Sequence, residues 1–326
     1  MTGPFLLVAT SDGLAICQKE GDSWREVRRG LEGQDVTCLA VCDRELLAGT
    51  RQGIFRTKDR GQSWQEASDG LKIRLVRWLA ARPEDLKTVF AGTEPAGIFL
   101  SEDEGKRWRA CPEVETLRDE YRWYLPYSPR AGCVRGFAFS GERAYAAVEV
   151  GGVLRSDDHG NSWSLAKGSS GYPHDLANPP ESVVHPDVHS INVHPASPDW
   201  VCAPTGGGFY RSLDGGRTWQ LLYDCYCRSV WWDPQDANHF ILGPADGVDR
   251  NGRIEESRDG GQTWQPAWKG VNAPWDHHMV ERITQVGDEL MAVLSNGELV
   301  STTVSTLDWK PVLPDVSDVA TVLAVD

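Results

Sequence analysis

Three arginines and a histidine hold matching places in four successive stretches of the chain. Arg77, Arg135, His189 and Arg228 each directly follow the residue that opens an apolar, strand-like run, namely Val76, Val134, Val188 and Cys227. Three similar runs carry Thr37, Glu281 and Ala320 at that place. A guanidinium is a planar fork that pairs with carboxylate or phosphate through two parallel bonds. Four cations at one level of a scaffold would therefore suit an anionic ligand. Two acids belong to the same segments: Glu94 in Gly-Thr-Glu-Pro-Ala-Gly and Glu149 in Val-Glu-Val-Gly-Gly. They can neutralise the arginines, or act as the paired carboxylates of a hydrolytic site. Tyr121, Trp123, Tyr124 and Tyr127 crowd one insertion, where they can form a lid, stack on a sugar ring or fold back onto the scaffold. His278, in Asp276-His277-His278, falls at the same end of its own segment. The candidate catalytic residues are thus Glu94, Glu149, Tyr124 and His189. The candidate ligand-binding residues are Arg77, Arg135, Arg228, Trp123 and His278.

The elements that position these groups are repeats. Ser212-Leu213-Asp214-Gly215-Gly216-Arg217-Thr218-Trp219 recurs at Ser257 to Trp264, and its grammar returns at Thr57 to Trp64, Ser101 to Trp108 and Ser156 to Trp163. Worn copies end at Trp24 and Trp309. The Asp and hydroxyl oxygens suit a tight turn, the Gly supplies a conformation that other residues avoid, and the Trp opens the next strand with a large apolar ring. The seven Trp landmarks, at 24, 64, 108, 163, 219, 264 and 309, are spaced for four short strands per repeat, the mark of a propeller blade. We label the strands of each blade A to D. Val36–Cys42, Leu46–Thr50, Gly53–Thr57 and Ser63–Ala67 read as blade one, and Val76–Pro83, Thr88–Thr93, Gly97–Ser101 and Arg107–Cys111 as blade two. Later blades open at Val134, Val188, Cys227 and Val280. No stretch shows a helical period. Leu6 to Trp24 supplies strands B to D of one more blade, and Val319 to Val325 its missing strand A. The expected fold is all-β: a seven-bladed propeller in a single domain, 1–326, closed by pairing the C-terminal strand with the N-terminal ones, which removes an exposed sheet edge.

This turn resembles the Asp box, or bacterial neuraminidase repeat, of sialidases, sortilin-type receptors and the photosystem II assembly factor. The resemblance implies that the boxes are structural staples away from the ligand site. Topology puts them at the lower face with the A–B turns, and puts the B–C turns and D-to-A links at the upper face. Both long insertions, Ala110 to Cys133 and Ser164 to Asp187, are D-to-A links and belong to the upper face, where loops on a rigid scaffold carry function. Likeness to sialidases implies an arginine triad, for which Arg77, Arg135 and Arg228 can stand. It also implies a Tyr–Glu nucleophile pair, for which Tyr124 with Glu149 or Glu94 can stand. The arginine–isoleucine–proline motif of sialidases is absent, and no Asp stands out as proton donor. Two functions are open: an upper-face pocket for a small anionic or carbohydrate-like ligand, with or without glycoside hydrolysis, and a non-catalytic scaffold that docks a protein.

With 33 Lys and Arg against 47 Asp and Glu, the net charge is −14, which disfavours binding to the phosphate backbone of nucleic acid. No apolar run is long enough for a membrane span. Met1 to Leu14 lacks the charged start of a signal peptide, so a cytoplasmic monomer is expected, with the eight cysteines as buried thiols. In an exported protein, Cys111 and Cys133 could instead form a disulfide. The upper-face histidines (His174, His185, His189, His277 and His278) form no His-x-His or helical His-x-x-x-His pair, so no metal or cofactor is assigned. His194, at a lower A–B turn, reads as structural.

Overall fold

The computed structural model describes residues 5–21, 23–125, 132–173 and 180–325; Tyr127 and His174 lie outside the described residues. The described residues form seven four-stranded antiparallel sheets. Blade one is Val36–Cys42, Glu45–Thr50, Gly53–Thr57 and Gln65–Glu66. Blade two is Val76–Arg82, Asp85–Thr93, Ile98–Ser101 and Arg109–Ala110. Blades three to six open at Cys133–Ser140, Asn192–Val193, Tyr226–Trp232 and Val280–Val286. Blade seven joins Val319–Val325 to Phe5–Thr10, Gly13–Glu20 and Ser23–Gly30, with Phe5 facing Val325 and Val8 facing Val322. The closure is the expected one.

The core is divided among the seven interfaces between successive sheets, each with its own apolar cluster. In each interface the Trp that ends a box packs towards the preceding blade. Trp108 fills the gap between blades one and two, and its indole N–H donates to Ala67 O at 2.8 Å. Trp309 repeats this between blades five and six, donating to Ala267 O at 2.7 Å. The sheets also approach closely at strand B. A Cβ on Gly92 would lie 2.6 Å from a Val134 methyl of the next blade, and one on Gly243 would lie 2.4 Å from Val280 Cβ.

Backbone bonds fix the two faces. Box turns bond to the A–B turns of their own blades: Glu104 N to Lys87 O, His159 N to Glu142 O, Gly215 N to Asp199 O and Gly260 N to Asn238 O. B–C turns bond instead to the D-to-A links, as in Arg51 N to Asp35 O, Glu94 N to Leu75 O and Gly206 N to Asp187 O. The expected partition into lower and upper faces follows directly.

Two expectations need correction. The first insertion contains a helix, Pro112–Tyr121, which no periodicity announced. Its start was nonetheless written in the chain, with Pro112 at the first turn and Glu113 and Glu115 where the helix dipole favours acids. Glu113 accepts from Trp163 N at 2.9 Å near one end, and Arg118 donates to Ala96 O at 3.2 Å nearer the other. The helix therefore climbs the outside of the ring, so this half of the insertion is not a lid. The second correction concerns strand A of blade four. Val188 makes only an isolated bridge to Thr205, and the strand proper is Asn192–Val193.

All eight cysteines are free thiols, Cys111 and Cys133 included, and all but Cys225 are buried. His194 is structural as expected, buried with Nε2 3.0 Å from Asp233 O.

Candidate functional site

The column of cations is a column of β-bulges. In blade one Val36 pairs with Thr50 and Cys38 with Gly49, which leaves Thr37 as the extra residue. Arg77, Arg135 and Glu281 are the extra residues of blades two, three and six, and Ala320 that of blade seven. Arg228 lies within the corresponding irregularity of blade five, between Cys227 and Val230. A bulge inserts one unpaired residue, bends its strand and re-aims the side chain. Here it turns one position in each of six blades towards the upper mouth of the channel; in blade four Val188 makes an isolated bridge and His189 follows it without a bulge.

The acids meet the arginines there. Arg77 Nε lies 3.4 Å from Glu94 Oε2, and Arg135 Nη1 lies 3.1 Å from Glu149 Oε2. Arg135 also approaches Glu281 Oε2 at 3.6 Å, and Arg228 pairs with the other oxygen of Glu281. The three predicted clamp arginines are thus neutralised by carboxylates, two within their own blade and one from the next. Cys133 is buried among Arg77, Glu149, Arg135 and Glu94, and burial above all pushes its thiol up to about 12. That shared neighbour places Glu94 and Glu149 in one cluster.

His189 is fully buried. Its Nδ1 lies 2.8 Å from Cys227 O, while Nε2 lies 3.2 Å from Asp187 Oδ2 and 3.4 Å from the Tyr226 hydroxyl. Tyr226 accepts from Arg228 Nε at 3.2 Å. Asp187 and Tyr226 carry no distinctive motif; only the fold brings them to His189.

Arg282 is the principal residue that the sequence reading passed over. It sits one place beyond Glu281, outside the cation column, and the blade-six bulge turns it inward. Its guanidinium lies 4.3 Å over the Trp78 ring and donates to Thr37 O at 3.4 Å. Among the described residues it has no carboxylate partner. Burial first, then repulsion from Arg135 and Arg77, lowers its pKa to about 10. Arg282 lines two cavities. One, of about 350 Å³, opens at the upper mouth and is shared with Thr37, Arg77, Arg135, Glu281 and Asn296. The other, of about 230 Å³, lies among inward residues of the A strands such as Cys38, Trp78 and Phe137.

The remaining candidates are dispersed. Trp123 is buried in the core between blades two and three, its indole donating to Gly171 O at 2.9 Å, so it joins the two insertions and offers no face to a ligand. Tyr124 next to it is 42% exposed. Tyr121 and Tyr172 meet edge to face with centroids 4.7 Å apart, which links the insertions a second time. His278 stacks on Trp275 at 5.1 Å, and burial lowers its pKa; it does not line the mouth cavity.

Searches for related proteins found no matching family model and no matching curated protein. Solved structures do match. One is described as YCF48 bound to D1 peptide, with TM-score 0.61 and 17% identity over 92% of this chain and 89% of that one. YCF48 from Cyanidioschyzon merolae matches with TM-score 0.63 and 14% identity over 92% of this chain and 91% of that one. The GH74 xyloglucanase from Xanthomonas campestris matches with TM-score 0.63 and 18% identity over 90% of this chain. This chain spans about half of that enzyme, 47% of its length. At such identities the likeness is one of fold: the chain is a seven-bladed β-propeller similar to a peptide-bound protein and to a polysaccharide-degrading enzyme alike.

Proposed function

We propose that the upper-face cavity binds a small anionic ligand, a carboxylated or phosphorylated carbohydrate-like molecule, and that Arg282 is its principal anchor. The observation that carries this reading is a guanidinium without a carboxylate partner among the described residues, lining a cavity whose other cations are neutralised. A half-buried cation with no acid beside it favours a counter-charge from a ligand. The cavity lies within the size range of small-molecule sites, and Thr37, Asn296 and the outer edges of Arg77 and Arg135 offer converging polar groups. We read the repeated turns as Asp boxes of the bacterial neuraminidase repeat type. That kinship, together with the xyloglucanase likeness, supports a sugar-like ligand. Glu94 and Glu149 are each held by a guanidinium, which disfavours a hydrolytic role for them.

A thermal-shift panel of carboxylated, sulfated and phosphorylated sugars beside their neutral counterparts tests this proposal. At least one anion should raise the melting temperature while its neutral counterpart does not. If no anion stabilises the protein at high concentration, the docking-scaffold reading replaces this one. The peptide-bound neighbour then becomes the better guide, and the exposed insertion tyrosines Tyr124 and Tyr172 the first surface to test.

A further inference from the structure

Beside the arginines lies a set of three side chains that could each ligate a metal ion. One ligand atom from each of Glu149, Asp187 and His189 falls within 4.8 Å of the others. The closest pair is His189 Nε2 and Asp187 Oδ2 at 3.2 Å. The Cys227 carbonyl, 2.8 Å from Nδ1, can only accept, so it places a proton on Nδ1. In the neutral ring Nε2 then presents its lone pair to a carboxylate. A second observation comes from Asp187 itself: its Oδ1 is shut off from solvent and has no hydrogen-bond partner. Asp187 thus meets His189 through Oδ2 and keeps Oδ1 as a second, unpartnered oxygen for a positive centre.

The carbonyl bond on the far nitrogen is the arrangement that orients a histidine ligand and fixes its tautomer. The site is also tightly built, since a Cβ on Gly206 would lie 2.2 Å from Asp187 Oδ2. The Tyr226 hydroxyl, 3.4 Å from Nε2, is placed to hold a water bound to an ion. One imidazole with two carboxylates suits a borderline divalent transition ion better than calcium or magnesium, which prefer all-oxygen shells.

We propose that Glu149, Asp187 and His189 form a binding site for one divalent transition-metal ion, of the zinc or manganese kind, at the upper end of blades three and four. The sequence singled out Glu149 and His189 but not Asp187, because the ligands come from a strand end, an insertion and an interrupted strand, and only one is a histidine.

The test is calorimetric titration of the chelator-treated full chain with Zn²⁺ and Mn²⁺, and spectroscopic titration with Co²⁺. One equivalent should bind, and the Co²⁺ spectrum should lack a thiolate charge-transfer band, which separates this site from the eight free cysteines. Asp187→Asn and Glu149→Gln should each weaken binding roughly tenfold or more. His159→Ala, at a half-buried lower-face histidine, should bind as wild type does. His189→Gln should also lose the ion; because that ring is buried and the variant can misfold, Asp187→Asn, on the partly exposed residue, decides. The proposal is overturned by undiminished binding in a folded Asp187→Asn protein, by a thiolate band, or by no binding to wild type at millimolar metal. In the last case the pair is a plain histidine–aspartate ion pair with a protonated ring. Asp187→Asn, at a residue that does not line the mouth cavity, should leave the sugar-anion panel unaffected, so the two proposals fail separately.

Discussion

Arg135 and Arg282 share one cavity but differ in what surrounds them, and substitution should separate them. Arg135 is tied to Glu149 and Glu281, so Arg135→Ala leaves acids short of a partner and should cost about 3 kcal/mol of stability, as when a buried pair is broken. Arg282 has no such acid among the described residues. Arg282→Met keeps contact with Trp78 and removes an uncompensated cation, so thermal unfolding should show an unchanged or higher melting temperature. A large loss of stability in Arg282→Met would mean that the cation is a structural prop. This contrast also marks how much of the site the sequence revealed. The column of Arg77, Arg135 and Arg228 was legible because repeats align by strand. Their neutralisation by Glu94, Glu149 and Glu281 was foreseeable only as an alternative. Arg282 and Asp187 were hidden, since a bulge and a broken strand decide where their side chains go.

The box turns carry their chemistry inside one element. In the turn from Ser212 to Trp219, Ser212 Oγ donates to Asp214 Oδ1 and accepts from Gly216 N at 2.8 Å, while Asp214 accepts from Arg217 N, Thr218 N and the Thr218 hydroxyl. Asp214→Ala strands these donors and should cost roughly 1–3 kcal/mol, with anion binding unchanged at the opposite face. Calorimetric unfolding beside ligand titration checks both halves. The same bonds set a pH dependence. The Thr263 hydroxyl, helped by backbone N–H groups, holds the Asp259 carboxyl down to about 2 from the usual 3.8, and the Ser63 hydroxyl holds Asp59 lower still. A carboxylate whose pKa is depressed on folding stabilises the native state above its unfolded value, and loses that contribution as pH falls through the folded one. Melting temperature should therefore fall between about pH 4 and pH 2, and less steeply in an Asp59→Asn, Asp259→Asn double variant. An equal slope would contradict this. The turns were readable because every bond lies within eight residues. The helix Pro112–Tyr121 was not, because a single helix on the outside of a propeller buries one short face, with Val114 its one buried residue, and writes no sustained period.

At the scale of the whole molecule, the ring is held by seven apolar interfaces and one closure. Deleting 319–326 removes the strand that pairs with Phe5–Thr10 and opens a long apolar sheet edge. Aggregation or a collapse of the melting transition should follow, read by light scattering and calorimetry; a soluble monomer melting like wild type would refute closure through this strand. The ring count was legible because Trp landmarks and orphan end strands add up to whole blades. Its function was not, because a propeller aims one residue per blade at the mouth whatever that residue is, and chemistry depends on which cation is left unmatched. The most direct measurement is calorimetric titration of the best-stabilising sugar anion into wild type and into Arg282→Met. The account predicts binding to wild type and a loss of about 2–5 kcal/mol in the variant, roughly thirtyfold or more in affinity, at an undiminished melting temperature. Equal affinity in the two proteins would contradict it.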